Sequence, residues 1–147
     1  MAGLECSVTI NRPIEEVFAF VSNYENDPKW SSATVEAKKT SEGPIGVGTT
    51  WLNVSKVLGR RVESEIEYIE YELNRKIAIK QTTGLYPHTF HVTLELVEGG
   101  TKINFAGEFE LGGFFGRIAE PLLTRIAKRP LEAGFAKLKD LMEAGAL

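Results

Sequence analysis

"RRVESEIEYIEYE", residues 60–72, alternates strictly as far as Tyr68. Val62, Ser64, Ile66 and Tyr68 fall on one parity; Arg61, Glu63, Glu65 and Glu67 fall on the other. A period of two puts successive side chains on opposite faces of a strand. The glutamates must meet water, because burying unpaired charge is costly. The Val62 face therefore points inward. After Tyr68 the parity slips, with Ile69 and Tyr71 apolar on the opposite side, and a β-bulge accounts for the slip.

Working outward, further strands are expected over "ATVEAKKTS" (33–41), "TTWLNVSKV" (49–57), "RKIAIKQTT" (75–83), "HTFHVTLELVE" (88–98) and "TKINFAGEFEL" (101–111). The first of these is edge-like, with lysines on the face that avoids the core. Between strands stand "LG", "LN", "GLYP" and "GG", connections short enough for an antiparallel meander. "EGPIGVG" (42–48) is a loop. "LECSVTI" (4–10) alternates as well and opens the chain as a strand.

By the same parity Ile77, Ile79 and Gln81 face inward, as do Phe90, Val92, Leu94 and Leu96, and then Ile103, Phe105, Gly107 and Phe109. On 49–57 Leu52 and Val54 are the inward candidates, with Trp51 and Asn53 replacing them in the other register.

Two segments carry the helical period instead. In "RPIEEVFAFVSN" (12–23) Ile14, Val17, Phe18 and Val21 recur on one face. Asn11 or Arg12 is the expected cap, Pro13 opens the first turn, and Asn23 is the expected stop. From Phe114 to Glu143, Phe115, Ile118, Leu122, Ile126, Leu131, Phe135, Leu138 and Met142 form one stripe, with a kink expected near Ile126–Pro130. Strand, short helical region, six strands and a long helix make an α+β layer architecture. One helix about 10–12 Å across is too narrow to fill the concave side of a strongly twisted sheet. Either large side chains fill the gap as a packed core, or an apolar pocket with a few orienting polar groups remains.

The totals narrow the classes. At 147 residues a single domain, 1–147, is expected. A net charge of -3 without a basic face argues against nucleic acid. Cys6 is the sole cysteine, so no intrachain disulfide or Cys-based zinc pattern arises, and a cytoplasmic setting is expected. Neither a signal peptide nor a run near the ~20 apolar residues of a membrane span is visible.

In this order the chain resembles the helix-grip fold of the START-related (SRPBCC) superfamily, which includes the birch-pollen-allergen-like proteins. Within it, the resemblance is to the bacterial polyketide cyclase/dehydrase and lipid-transport family. "INRPIEEVFAFVSNYENDPKW", "EYELNRKIAIK", "GGTKINFAGEFEL" and "LLTRIAKRPLEAGFAKLKDLME" carry it. The resemblance implies a seven-stranded twisted antiparallel sheet wrapped around a long C-terminal helix, with two short helices after strand 1. It also implies a small hydrophobic or amphipathic ligand and no cofactor. Family members bind hydrophobic ligands, cyclise polyketides, transfer lipids or act in co-chaperone and stress-related roles.

The expected ligand wall comprises Val62, Ser64, Ile66, Tyr68, Ile79 and Gln81, then Phe90, Val92, Phe105 and Phe109, and from the closing helix Phe115, Ile118, Leu122 and Ile126. Ser64, Tyr68, Gln81 and His88 are its orienting polar groups. A triad, a nucleophile elbow and a phosphate loop are all missing from the sequence. His88 and His91 are three apart and so on opposite faces of a strand, which rules them out as a two-histidine metal pair, and no metal site is expected. The enzymatic alternative is a polyketide cyclase or dehydratase with His88 or Tyr68 as proton shuttle; the plainer reading of His88 is a rim histidine. A further alternative is membrane-surface contact through Phe114 and Phe115, followed by Arg117, Arg125, Lys128 and Arg129; partner binding through an exposed edge strand has no positive signal in the sequence. "NYENDPKW" (23–30) sets an acid, a phenol and an indole within eight residues. It reads mainly as a hinge and plug, with Asp27-Pro28 a turn signal, Trp30 an anchor whose N–H finds a partner, and Tyr24 either bracing the corner or reaching the pocket.

Overall fold

The computed structural model describes residues 2–57, 59–83, 88–109 and 113–145; side chains at 2, 3, 57, 108, 109, 113–121, 123, 124 and 127 lie outside that description. The elements run β1 (Ala2–Ile10), α1 (Ile14–Val21), a 3₁₀ helix η1 (Tyr24–Lys29), β2 (Glu36–Lys39), β3 (Thr50–Val57), β4 (Arg60–Glu72), β5 (Lys76–Gln81), β6 (His88–Val97), β7 (Gly100–Phe109) and α2 (Gly113–Glu143). All seven strands form one antiparallel sheet in the order β1-β7-β6-β5-β4-β3-β2. The meander expected from the short connections is present, and β1 returns to pair with β7.

The alternation in β4 translates directly into burial: Ser64, Ile66 and Tyr68 are buried, while Glu63 and Glu65 are exposed. Pairing with β5 shifts register between Tyr68 and Glu70. Ile69 is the extra residue of that bulge. The shift moves Tyr71 to the core side, where its ring meets Phe18 edge-on at 5.4 Å. In β3 the pairs Trp51–Ile66, Asn53–Ser64 and Ser55–Val62 put Trp51, Asn53 and Ser55 on the inward face. The register with Leu52 inward is therefore the wrong one, although Val54 is buried on its own side. Leu96, expected inward, is 75% exposed where it stands beside the β6–β7 turn.

Pro13, not Asn11 or Arg12, occupies the N-cap of α1, without a side-chain cap. Arg12 instead pairs with Glu16 at 2.8 Å on the surface, where such a pair contributes little. α1 ends at Ser22, and the Asn23 side chain starts η1 by accepting from the Glu25 N–H at 3.2 Å. α2 continues unbroken past Pro130. Its C-terminal half buries Phe135, Leu138 and Met142 in the same core as Ile10, Phe18 and Trp51. Polar ties hold that end. Lys139 Nζ donates to the Thr9 carbonyl at 2.8 Å, and the Asn11 N–H donates to Glu143 Oε2 at 2.8 Å. Farther back along the helix Leu122 and Ile126 are exposed.

Candidate functional site

A cavity of about 530 Å³ lies between the inward face of the sheet, the η1 corner and the 126–138 stretch of α2. Its body is apolar: Ile66, Ile77, Ile79, Val92 and Ile103 from the strands, Leu131 and Leu138 from α2. A chain of rings crosses it, from His88 to Phe90 (4.4 Å between centroids), Phe105 (5.1 Å), Phe135 (6.0 Å) and Trp30 (5.4 Å). Two glycines shape this chain. A Cβ at Gly107 would collide with the Phe90 ring, so the bare backbone there gives that ring its seat. At Gly134 a Cβ would stand 3.3 Å from both the Trp30 ring and its carbonyl oxygen, so glycine lets α2 approach the η1 corner closely.

Polar groups line the side of the cavity formed by η1, β3 and β4. Asn53 is their hub: Tyr24 Oη and Thr34 Oγ1 donate to its Oδ1 at 3.2 and 2.9 Å, and its Nδ2 donates to Ser64 Oγ at 3.1 Å. Burial pushes the pKa of Tyr24 upward, with the Asp27 charge adding to it, so the phenol stays neutral. Asp27 is the only carboxyl, and Lys56 the only ammonium, among the described residues of the wall. Desolvation by the surrounding protein pushes the Asp27 carboxyl well above the ordinary range, because it penalises the charged form. Among the described residues, no group of three or more histidine, cysteine or carboxylate side chains gathers as a metal site.

Of the residues expected at the wall, Val62, Ser64, Ile66, Ile79, Gln81, His88, Phe90, Val92, Phe105 and Ile126 border this cavity. Ile126 does so from the rim, since it is 61% exposed. Two expectations fail. Leu122 is 57% exposed and is not among the described residues that border the cavity. Tyr68 lies wholly within the core rather than on the cavity, and its hydroxyl donates to the Ser22 carbonyl at 2.7 Å. That bond ties β4 to the end of α1 and leaves the hydroxyl no substrate to serve as proton shuttle. Tyr68→Phe is therefore expected to cost about 1 kcal/mol of stability, seen as a melting temperature lower by roughly 3–6 °C, without a selective loss of ligand capture. A loss of capture with unchanged melting would contradict this assignment. The side chains of Phe109, Phe115 and Ile118, with Phe114 and Arg117, lie outside the described residues.

The corner 23–30 is more than a hinge and plug. Tyr24, Asp27 and Trp30 all border the cavity. The acid–phenol–indole spacing was itself the signal, and reading Asp27-Pro28 purely as a turn concealed it. The Trp30 ring packs as an anchor, yet its indole N–H is buried without an acceptor among the described residues. Asn53 was hidden by the uncertain β3 register, and Leu131, Phe135 and Leu138 by the absence of any local cue to which part of the helical stripe meets the sheet.

Comparison with known proteins agrees with this architecture. Among solved structures, TTHA0849 from Thermus thermophilus superposes with a TM-score of 0.80 at 16% identity, covering 99% of each chain. A START superfamily protein from Mycobacterium smegmatis gives 0.77 at 14% identity, covering 98% of this chain and 99% of its own. Ara h 8.0201 gives 0.63 at 18%, covering 92% and 97%. At these identities the likeness establishes the helix-grip fold. No curated protein matches in sequence. The family model described as "Polyketide cyclase / dehydrase and lipid transport" matches residues 1–143, and the chain belongs to that family.

Proposed function

We propose that this chain is a single START-like domain that binds or carries a small hydrophobic or amphipathic molecule in the cavity between its sheet and α2. The cavity itself carries the reading. Its volume of about 530 Å³ falls within the several hundred Å³ of small-molecule sites, and aliphatic and aromatic side chains dominate its wall. A few fixed polar groups, centred on Asn53 and Ser64, would orient the occupant. Gln81 and His88 flank the 82–87 connection and supply further polar edges. Family membership supports ligand binding at the level of the class, without choosing the ligand.

The polyketide cyclase or dehydratase alternative rests on His88 alone now that Tyr68 is committed to the core. A binder without chemistry needs no shuttle, and the predominantly aliphatic and aromatic wall suits apolar binding by itself. The carrier reading is therefore preferred. Its test is native mass spectrometry of protein purified from its own host, together with 1-anilinonaphthalene-8-sulfonate fluorescence. A co-purified apolar molecule, or dye capture that Val92→Trp lowers at least about tenfold by filling the wall, is the expected result. Ligand-free protein with dye binding absent, or indifferent to Val92→Trp in a folded variant, would sink it.

A further inference from the structure

Asp27 is unusual among the chain's carboxyl groups. It borders the cavity, and it forms no side-chain hydrogen bond or ion pair among the described residues. Elsewhere Glu16 pairs with Arg12, Glu70 with Lys76 and Glu143 with Lys139 at the surface, and Glu25 accepts from the Lys39 N–H. The two phenols that Asp27 influences are already committed: Tyr24 donates to Asn53, and Tyr68 donates to the Ser22 carbonyl. Asp27 is half-buried, and an occupant of the apolar cavity can supply the partner that its carboxyl lacks.

Building on the carrier reading above, we propose that Asp27 is the ligand's anchor, its carboxylic acid O–H donating to an uncharged oxygen, such as a ketone, ester or amide carbonyl, on an otherwise apolar molecule. The count of partners selects this class. An ionised carboxylate has about four lone-pair sites to satisfy, and a neutral acid has one proton to place. No described side chain donates to the Asp27 carboxyl, so an ammonium ligand would leave most of an ionised carboxylate's lone pairs unmatched, and such pairs barely repay their desolvation. An anionic ligand held at Asp27 would meet a second acid that no described cation pairs with. A carbonyl oxygen satisfies the single proton directly. The neutral state that this requires agrees with the effect of burial on Asp27.

Three probes of similar shape test the anchor: 2-acetylnaphthalene, 2-isopropylnaphthalene and 1-(2-naphthyl)ethylamine, each titrated against the full chain and followed by displacement of the anilinonaphthalene dye. The quantity of interest is the affinity for the ketone relative to the hydrocarbon. Asp27→Leu is expected to lower that ratio about tenfold, and Asp27→Asn, whose amide N–H still donates, to restore much of it. Thermal melts confirm that both variants are folded; if Asp27→Leu is not, the Asp27→Asn ratio and the wild-type ranking of the three probes decide. A ratio that changes less than about twofold, or an amine that outbinds the ketone and loses most on substitution, overturns the anchor while leaving the carrier reading intact. Failure of all three probes to bind wild-type protein defeats both.

Discussion

Gly100→Ala is expected to remove more than about 4 kcal/mol of stability, enough to leave much of the protein unfolded at 37 °C. Gly100 opens β7 with φ 135°, a conformation that side-chain-bearing residues rarely adopt. The larger cost is steric. A Cβ there would overlap the Ile10 carbonyl oxygen and stand 2.9 Å from the Asn11 Cα, both backbone atoms that no rotamer change can move. Ile10 closes the β1–β7 ladder opposite Thr101, and the buried Thr101 hydroxyl donates to the Arg12 carbonyl at 2.9 Å. Displacing that corner therefore disturbs the sheet, the entry to α1 and the Asn11–Glu143 tie together. Gly99 is the internal control: its φ is 91°, but open space surrounds the position of its Cβ, so Gly99→Ala should cost only about 1–2 kcal/mol. Urea unfolding of both variants checks the contrast. Equal losses at the two positions would show that backbone strain rather than collision dominates.

The second large effect concerns Asp27 and acts in the stabilising direction. Asp27→Asn should raise the melting temperature by several degrees at pH 7, and the gain should vanish near pH 4. Burial raises the folded-state pKa of Asp27, so between the ordinary aspartate value of about 3.9 and its raised value the native state keeps a proton that the unfolded chain has released. Stability from this group is thus fully present at low pH and falls as pH rises through that window. The titratable groups whose ionisation Asp27 influences are Tyr24 and Tyr68, both shifted upward and neutral throughout, so neither compensates. Melting curves of the two proteins from pH 4 to pH 8 give the answer. Parallel curves would mean that Asp27 is solvated in the native state, and would remove the physical basis of the anchor as well. Replacing a ligand anchor with a more stable residue is the trade expected where function holds a group in an unfavourable setting.

The opening alternation in β4 shows how far local pattern reaches. Periods of two and 3.6 are properties of neighbouring residues, so strands, helices, inward faces and even the bulge after Tyr68 could be read one segment at a time. The short connections then left an antiparallel meander as the simple pairing, and the helical stripe from Phe114 to Glu143 supplied the closing helix. Most of the sheet's contribution to the cavity followed from the same parity: Val62, Ser64, Ile79, Phe90, Val92 and Phe105 needed only their strand phase.

Facing inward is not the same as facing a cavity, and that difference belongs to the tertiary structure. Tyr68 obeys its parity and is still unavailable, because the end of α1 comes within hydrogen-bonding distance of its hydroxyl. Leu122 keeps its place on the helical stripe and is still exposed, because α2 is tied down by Phe135, Leu138, Lys139 and Glu143 at its other end. Asn53 needed the β3–β4 register, and Asp27 needed the distance that Gly134 sets between α2 and η1. The sequence alone determined the elements, their order and their inward faces, since each is encoded by residues close together in the chain. Only the packing of η1 and α2 against the sheet decided which inward groups border empty space, because that depends on separations between elements that lie far apart in the chain.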